Sequence, residues 1–335
     1  MTQYLILALT LGTITAIHSL GLNVRWGWSG ELDLSYYACV ALGAYVTGVI
    51  TLPPSSPAIG TYILGLSQPF LVGITAAMAA SALFSLAIGA IALRNLRHDY
   101  YAIVSLAAFS ILYSWVNQYA PLFNGPIGIF GIPQPFSGVL HFDPDTYNVF
   151  FFGLCLVFLG LVYVVLEIIY KSPFGRLMRA IREDETAVIA FGRDVYRNKL
   201  KAHVLGGVVG GLGGALLGHL IGAFSPAGWD VSEVIVLYAA IFVGGSANQR
   251  GVILGTFIVP IFFLEVTRLM GSIPGHPDAA AALRTMAIGL LIIVFLRWRP
   301  GGLLPEPRQL DKTPVGIGTP LVAASTGSLP QPEVR

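Results

Sequence analysis

Residues 147–170 read YNVFFFGLCLVFLGLVYVVLEIIY, twenty-four residues with one charged side chain, Glu167. As a helix this run rises about 36 Å, enough to cross the roughly 30 Å hydrocarbon core of a bilayer. It lacks the ten-residue alternation of a membrane barrel strand. The rest of the chain has the same character. Of 335 residues 55% are hydrophobic and 11% charged, and the mean hydropathy is +0.74. Soluble domains carry about 25% charge, so lipid is the solvent for most of this sequence.

Nine runs of this kind lie near 3–24, 32–51, 69–93, 99–119, 147–170, 200–223, 231–248, 251–270 and 281–297. They are long and rich in Leu, Ala and Gly, which predicts an all-α, polytopic integral membrane helix bundle of about nine spans, in the range 8–10. The first run, MTQYLILALTLGTITAIHSLGLN, starts uncharged and continues at spanning length, so it reads as a membrane helix rather than a cleaved signal. Nine spans put the two ends on opposite sides. Seventeen of the 19 Lys and Arg residues then share one side, and only Arg268 and Arg284 fall on the other. The positive-inside bias predicts the N-terminus outside and the C-terminus inside. Short Gly-rich breaks at 25–35 and 244–252 also suit re-entrant turns. Three outside segments, 52–68, 120–146 and 271–280, are Pro/Gly-rich and suit lids or docking surfaces. A transmembrane domain over 1–305 is followed by a Pro/Gly/Ser/Thr-rich stretch, 306–335, predicted to be a disordered cytoplasmic tail.

Several chemistries are excluded. The sequence has no GxxxxGK[ST], HExxH, GxSxG or CxxC, and GGVVGGLGGALLG at 206–218 follows no strand. The chain is predicted to bind no ATP and no other cofactor, and it shows no nucleophile cluster, metal site or acid pair of an enzyme. Cys39 and Cys155 sit in apolar runs as small hydrophobes. A net charge of +2 carries no nucleic-acid signature.

The glycines have a packing logic instead. Gly206, Gly210, Gly214, Gly218 and Gly222 recur every fourth residue, forming one ridge that admits a close neighbour. Gly207, Gly211 and Ala215 form a second file beside it. Intramembrane ionisable groups are few. Glu167 with Lys171, and Glu265 with Arg268, read as interfacial pairs near span ends. His18, His203 and His219 read as neutral packing residues, because no Asp/Glu/His relay lies at helical spacing.

Against this background the stretch from Lys171 to Lys201 is unusual, since it holds twelve of the chain's 36 charged residues. Ser172 and Pro173 are a helix start signal, and about four turns follow to a stop at Gly192. Leu177, Ile181 and Val188 fall near one face. Arginines there suit anionic lipid, but the acids Glu183 to Glu185 favour a soluble protein partner.

This stretch, FGRLMRAIREDETAVIAFGRDVYRNKLKA at 174–202, resembles the cytoplasmic loop of permease subunits of branched-chain amino acid ABC importers, particularly the M-type partner. The resemblance runs from about residue 20 to 304 through GLN at 21–23, G-x-x-G at 27–30, GAY at 43–45, LRNLRHDYYAIVSLA at 93–107, NGPIGIFGIP at 124–133, FVGGSANQRGVILG at 242–255 and RPGGLLPE at 299–306. It implies a multi-pass protein of the bacterial cytoplasmic (inner) membrane. It also implies two ABC ATPase subunits that bind the ATP, a second, H-type permease, and an extracytoplasmic solute-binding protein. The loop would hold the ATPase-coupling helix, with Arg179, Arg182, Glu183, Glu185, Ala187 and Gly192 as coupling residues. Asn23, Ser29, Ser35, Tyr36 and Tyr45 are candidates for the pathway, because broken Gly-rich helices offer backbone partners to small polar solutes.

Two departures bear on the substrate. Asp33-Leu-Ser-Tyr-Tyr replaces an SLGH-like run, and Gly125-Pro-Ile-Gly128 replaces a Gly-Pro-Asp-Gly loop. Apolar amino acids are the leading substrate, with urea, short amides or another small polar solute as alternatives. A secondary transporter or channel is the rival of another class; it predicts midplane carboxylates or inverted repeats.

Overall fold

A bilayer offers backbone N–H and C=O groups no partners, so apolar runs of spanning length must satisfy them internally as helices. The computed structural model describes residues 2–55, 60–95, 98–136, 143–263, 277–299 and 301–306. Among these, six helical stretches are long and apolar enough to span: Gln3–Trp28, Phe70–Arg94, Tyr100–Gln118, Pro144–Lys171, Val195–Ile221 and Pro226–Gly244. Two shorter apolar helical stretches, Tyr36–Thr51 and Met286–Trp298, join them. The run at 251–270 begins as a helix at Gln249–Thr256 and widens into a π-helical stretch, Phe257–Phe263, that contains Pro260. Glu265, Arg268, the 271–276 part of the third outside segment and the tail from 307 lie outside the described residues.

In chain order the helices are α1 (Thr2–Asn23), α2 (Tyr36–Thr51), α3 (Phe70–Asn95), α4 (His98–Gln118), the single-turn α5 (Ala120–Phe123), α6 (Pro144–Lys171), α7 (Pro173–Glu183), α8 (Glu185–Ala190), α9 (Val195–Ile221), α10 (Val231–Gly244), α11 (Gln249–Thr256) and α12 (Pro277–Trp298). Two short strands, β1 (Ile129–Phe130) and β2 (Ala223–Phe224), pair antiparallel.

The centre of the bundle is α9, packed on α1, α2 and α3. Its glycines explain how. A Cβ on Gly214 would stand 1.9 Å from the Val40 carbonyl oxygen of α2, and one on Gly206 would stand 2.7 Å from that of Gly21 in α1. The second file turns to α3, where Gly211 faces Ala77 and Ser81 and Gly207 faces Ser85. Gly222 stands apart from the ridge. Its φ of +71° ends α9 as a left-handed cap, with its N–H donating to Gly218 O at 2.9 Å.

The Gly-rich breaks are tight buried turns. After α1 the helix widens over Val24–Trp28, and the turn 29–35 then buries Ser29, Glu31, Asp33 and Ser35. The break after α10 folds beside it, since Ala247 N donates to Asn23 Oδ1 at 3.0 Å. At the opposite end the loops pack on one another. Tyr62 bridges to Phe123, and Tyr45 stacks on Phe123 at 4.6 Å and meets Phe224 edge-on.

Candidate functional site

The charged stretch folds as two helices rather than the single four-turn helix its pattern predicts. Ser172 caps α7 by accepting from Phe174 N at 3.2 Å, with Pro173 at the first helical position. Gly175, Met178 and Ile181 are buried against the bundle. At Asp184 the backbone becomes extended (φ −155°, ψ 104°), and its carboxylate accepts from Thr186 N at 2.8 Å and Ala187 N at 3.1 Å. Asp184 is therefore the N-cap of α8, which breaks the helix because a side chain that satisfies the free amides of a new helix competes with continuing the old one. Gly192, at φ +73°, closes α8, its N–H donating to Ile189 O at 2.8 Å.

The Asp184 carboxyl is held below the ordinary carboxylate range by the Ala187 amide and the Thr186 side chain. A depressed folded-state value means that the cap is present at neutral pH and is lost only as the pH falls through that value. Asp184→Ala is expected to fray α8, read as faster amide exchange at Thr186 and Ala187. Unchanged exchange would show that docking alone holds this helix.

The predicted coupling residues divide by direction. Arg179 lies over the Tyr170 ring at 4.7 Å, and Arg182 donates to Gly27 O and to Glu306 Oε2 at 2.5 Å. Tyr170 donates to the other oxygen of Glu306. These arginines tie α7 to its own chain. Glu185 also turns inward, to Lys199. Glu183 and Ala187 are exposed, and beyond them Ile189 and Phe191 project with 58% and 84% of their surfaces open. Val188 alone in α8 is buried.

Beneath this loop lies a cluster of buried charges that sequence reasoning missed. Arg25, one of the seventeen basic residues assigned to one side of the membrane, is 1% exposed and pairs with Asp33. Its Nε donates to His203 O at 3.0 Å and its Nη2 to Ser85 Oγ at 2.7 Å. Asp33 Oδ1 accepts from Ser35 N at 2.8 Å and Ser35 Oγ at 2.6 Å. Asp33 N donates to Tyr238 Oη at 2.8 Å, which brings in α10, and Leu34 N donates to Ser105 Oγ of α4 at 3.0 Å. His203 is not isolated: its Nδ1 lies 3.1 Å from Tyr101 Oη and 3.7 Å from Asp33 Oδ2. Lys199, also buried, holds Glu31 at 2.5 Å and Glu185 with the same ammonium. The available signal was Arg25, Glu31 and Asp33 together inside one Gly-rich break of an apolar chain.

The other histidines and the interfacial pair are simpler. His219 bridges Thr47 Oγ1 at 3.1 Å and Pro133 O at 2.9 Å. The His18 ring meets Tyr37 edge-on and lies against Gly213. Lys171 and Glu167 pair at 2.9 Å.

All five pathway candidates are buried within the bundle and engaged by their own chain. Asn23 accepts from Ala247, Ser29 donates to Arg25 O, and Ser35 serves Asp33. Tyr36 donates to His18 O at 2.8 Å with the Arg25 guanidinium over its ring at 5.1 Å, and Tyr45 accepts from Trp229 Nε1 at 3.4 Å. The first four lie around the buried charges, while Tyr45 belongs to the aromatic cluster at the far end. Both departures noted in the sequence have local tasks here. Asp33 balances Arg25, and the turn Gly125–Ile127 is pinned by Asn124 Nδ2 donating to Gly128 O at 2.9 Å.

Comparison with known proteins agrees with this architecture. The family model described as "Branched-chain amino acid transport system / permease component" matches residues 4–296. The high-affinity branched-chain amino acid transport system permease protein LivM of Escherichia coli (strain K12) is 29% identical over 325 residues, 89% of this chain and 69% of that protein. A probable branched-chain amino acid transport permease protein LivM of Methanocaldococcus jannaschii is 26% identical over 324 residues, 87% of this chain and 90% of that protein. The fructose import permease protein FrcC of Rhizobium meliloti is 30% identical over 167 residues, 47% of this chain and 44% of that protein. No solved structure matches the chain. With its helical membrane fold and a family match over residues 4–296, the chain belongs to the permease components of branched-chain amino acid transport systems.

Proposed function

We propose that this chain is one of two permease subunits of an ABC importer for branched-chain amino acids in the cytoplasmic (inner) membrane of a bacterium. In this reading it crosses the membrane nine times, with the N-terminus outside and the loop 171–201 in the cytoplasm. It works with an H-type permease, two ATPase subunits and an external solute-binding protein. ATP binding and hydrolysis in the ATPases drive alternating access between the two permeases, and Asn23, Ser29, Ser35, Tyr36 and Tyr45 enter the pathway as the bundles rearrange. The glycine ridge of α9 is the smooth surface on which α1 and α2 shift.

The observation that carries this reading is α8. A short helix sits between the long helices α6 and α9 at the basic end and presents Ala187, Ile189 and Phe191 outward. Exposed apolar anchors rimmed by charge suit a groove on a protein partner. Because α7 and α8 connect directly to α6 and α9, closing a partner around them can turn those helices.

The test is reconstitution in vesicles. Leucine uptake is expected to require ATP, the ATPase subunits and the second permease together. Uptake by this chain alone would overturn the reading in favour of a self-contained transporter.

A further inference from the structure

We infer that Lys199 is a positioning residue that makes the coupling helix α8 and the buried turn 29–35 move as one unit. The inference rests on the importer reading above. The family resemblance makes Glu185 a coupling residue, and the geometry sets its carboxylate against Lys199 of its own bundle.

Lys199 Nζ lies 2.5 Å from Glu31 Oε1 and within hydrogen-bond reach of Glu185 Oε1. The Lys199 and Glu31 side chains are almost wholly buried, while that of Glu185 is 33% exposed. One ammonium thus serves two carboxylates on separate elements. Glu185 opens α8, directly after its Asp184 cap. Glu31 belongs to the turn whose N–H donates back to Arg25 O at 3.1 Å. Two residues on, Asp33 carries the Arg25 pair and the link to Tyr238.

Displacing α8 presents Lys199 with a choice. Following Glu185 alone would break the buried Lys199–Glu31 ion pair, and pulling a buried pair apart is costly. Keeping Glu31 alone gives up Glu185. The arrangement of lowest cost keeps all three groups together, so that α8 pulls the 29–35 turn with it. Through Arg25 that turn is bonded to α3 and α9, through Asp33 to α10, and through Leu34 to α4. Lys199 therefore conveys motion of a peripheral helix to the point where α3, α4, α9 and α10 converge. Lys199 itself stands near the start of α9, so the link adds the turn 29–35 to whatever motion α8 passes to α9.

The experiment compares the assembled importer, containing this chain and its partner subunits, with variants of Lys199 and Glu185. Uptake and ATP hydrolysis are measured in the same vesicles. Lys199→Met is expected to keep its ATPases and continue hydrolysis, while leucine transported per ATP falls about tenfold, the scale of a coupling between two sites. Glu185→Gln should show the same defect, and the double variant should be no worse than either single one. Lys199→Arg should restore much of the ratio, because the charge and its reach are kept. A wild-type ratio in Lys199→Met or Glu185→Gln would overturn the inference. So would a Lys199→Arg importer as defective as Lys199→Met, since that marks a packing role. If Lys199→Met fails to reach the membrane, Glu185→Gln decides alone, its side chain being partly exposed. A wild-type assembly with no ATP-dependent uptake would instead overturn the importer reading, and this inference with it.

Discussion

Phe191→Asp is expected to leave the chain folded in the membrane but without its ATPase subunits, and ATP-driven uptake should fall at least about a hundredfold, the range of an interface hot spot. Phe191 is 84% exposed at the end of α8 and Ile189 beside it is 58% exposed. Neither belongs to the buried core, so the substitution removes an anchor without opening a cavity. A carboxylate in its place would have to be desolvated to enter an apolar groove. Copurification of the ATPases with the detergent-extracted chain reads the effect, and an unchanged thermal unfolding curve shows that folding is spared. Phe191→Leu should keep most of the association. Full ATPase binding by Phe191→Asp would remove α8 as the docking element. The pattern differs from that of Lys199→Met, which keeps the ATPases and loses the yield of transport.

The largest loss of stability is expected from Asp33→Ala. Arg25 and Asp33 have no exposed side-chain surface, and the pair lies where α1, α3, α9 and α10 meet. Removing one partner leaves a fully buried guanidinium without the carboxylate it faces, a change that costs about 3–5 kcal/mol where buried pairs have been broken. Ser35 also loses the acceptor for its amide and hydroxyl. Thermal unfolding in detergent is the measurement. The double variant Arg25→Met/Asp33→Leu should be more stable than Asp33→Ala, because removing both charges leaves no charge stranded. Asp33→Ala melting at the wild-type temperature would mean that Arg25 finds other compensation. A double variant worse than the single one would mean that the bonds of Arg25 to Ser85 and to His203 O matter more than its charge.

Much of this architecture was legible because its causes are local. A run such as 147–170 has to be a helix in lipid, whatever its neighbours are. The four-residue spacing of Gly206 to Gly218 announces a close contact, and the structure supplies the partner for each glycine. The ends of the charged loop were legible too, in Ser172-Pro173 and in Gly192. The break inside it was less so. Asp184 carries a capping signal, but the same residues also fit one amphipathic helix, and the choice depends on where Glu185 and Val188 find partners.

The buried charges were illegible for a stronger reason. Arg25 at the end of an apolar run looks like any residue that orients a membrane helix, and Lys199 looks like one more charge of the loop 171–201. What distinguishes them lies far away in the chain: Arg25 meets the His203 carbonyl across 178 residues of sequence. Asp33 reads as a departure that bears on the substrate, and only the structure shows that it is the counter-charge of Arg25. The family resemblance names Arg179 and Arg182 as coupling residues, and only the structure shows the aromatic ring and the Glu306 carboxylate that hold them to the bundle.

The sequence by itself determined that this chain is a polytopic membrane helix bundle with a charged loop at its basic end, and it pointed to a permease, because hydrophobic length and charge placement act residue by residue against lipid and water. Only the tertiary structure decided which charges enter the interior and which stay outside. A buried charge is tolerable only beside a specific partner, and that partner is chosen by packing between helices that the sequence keeps far apart.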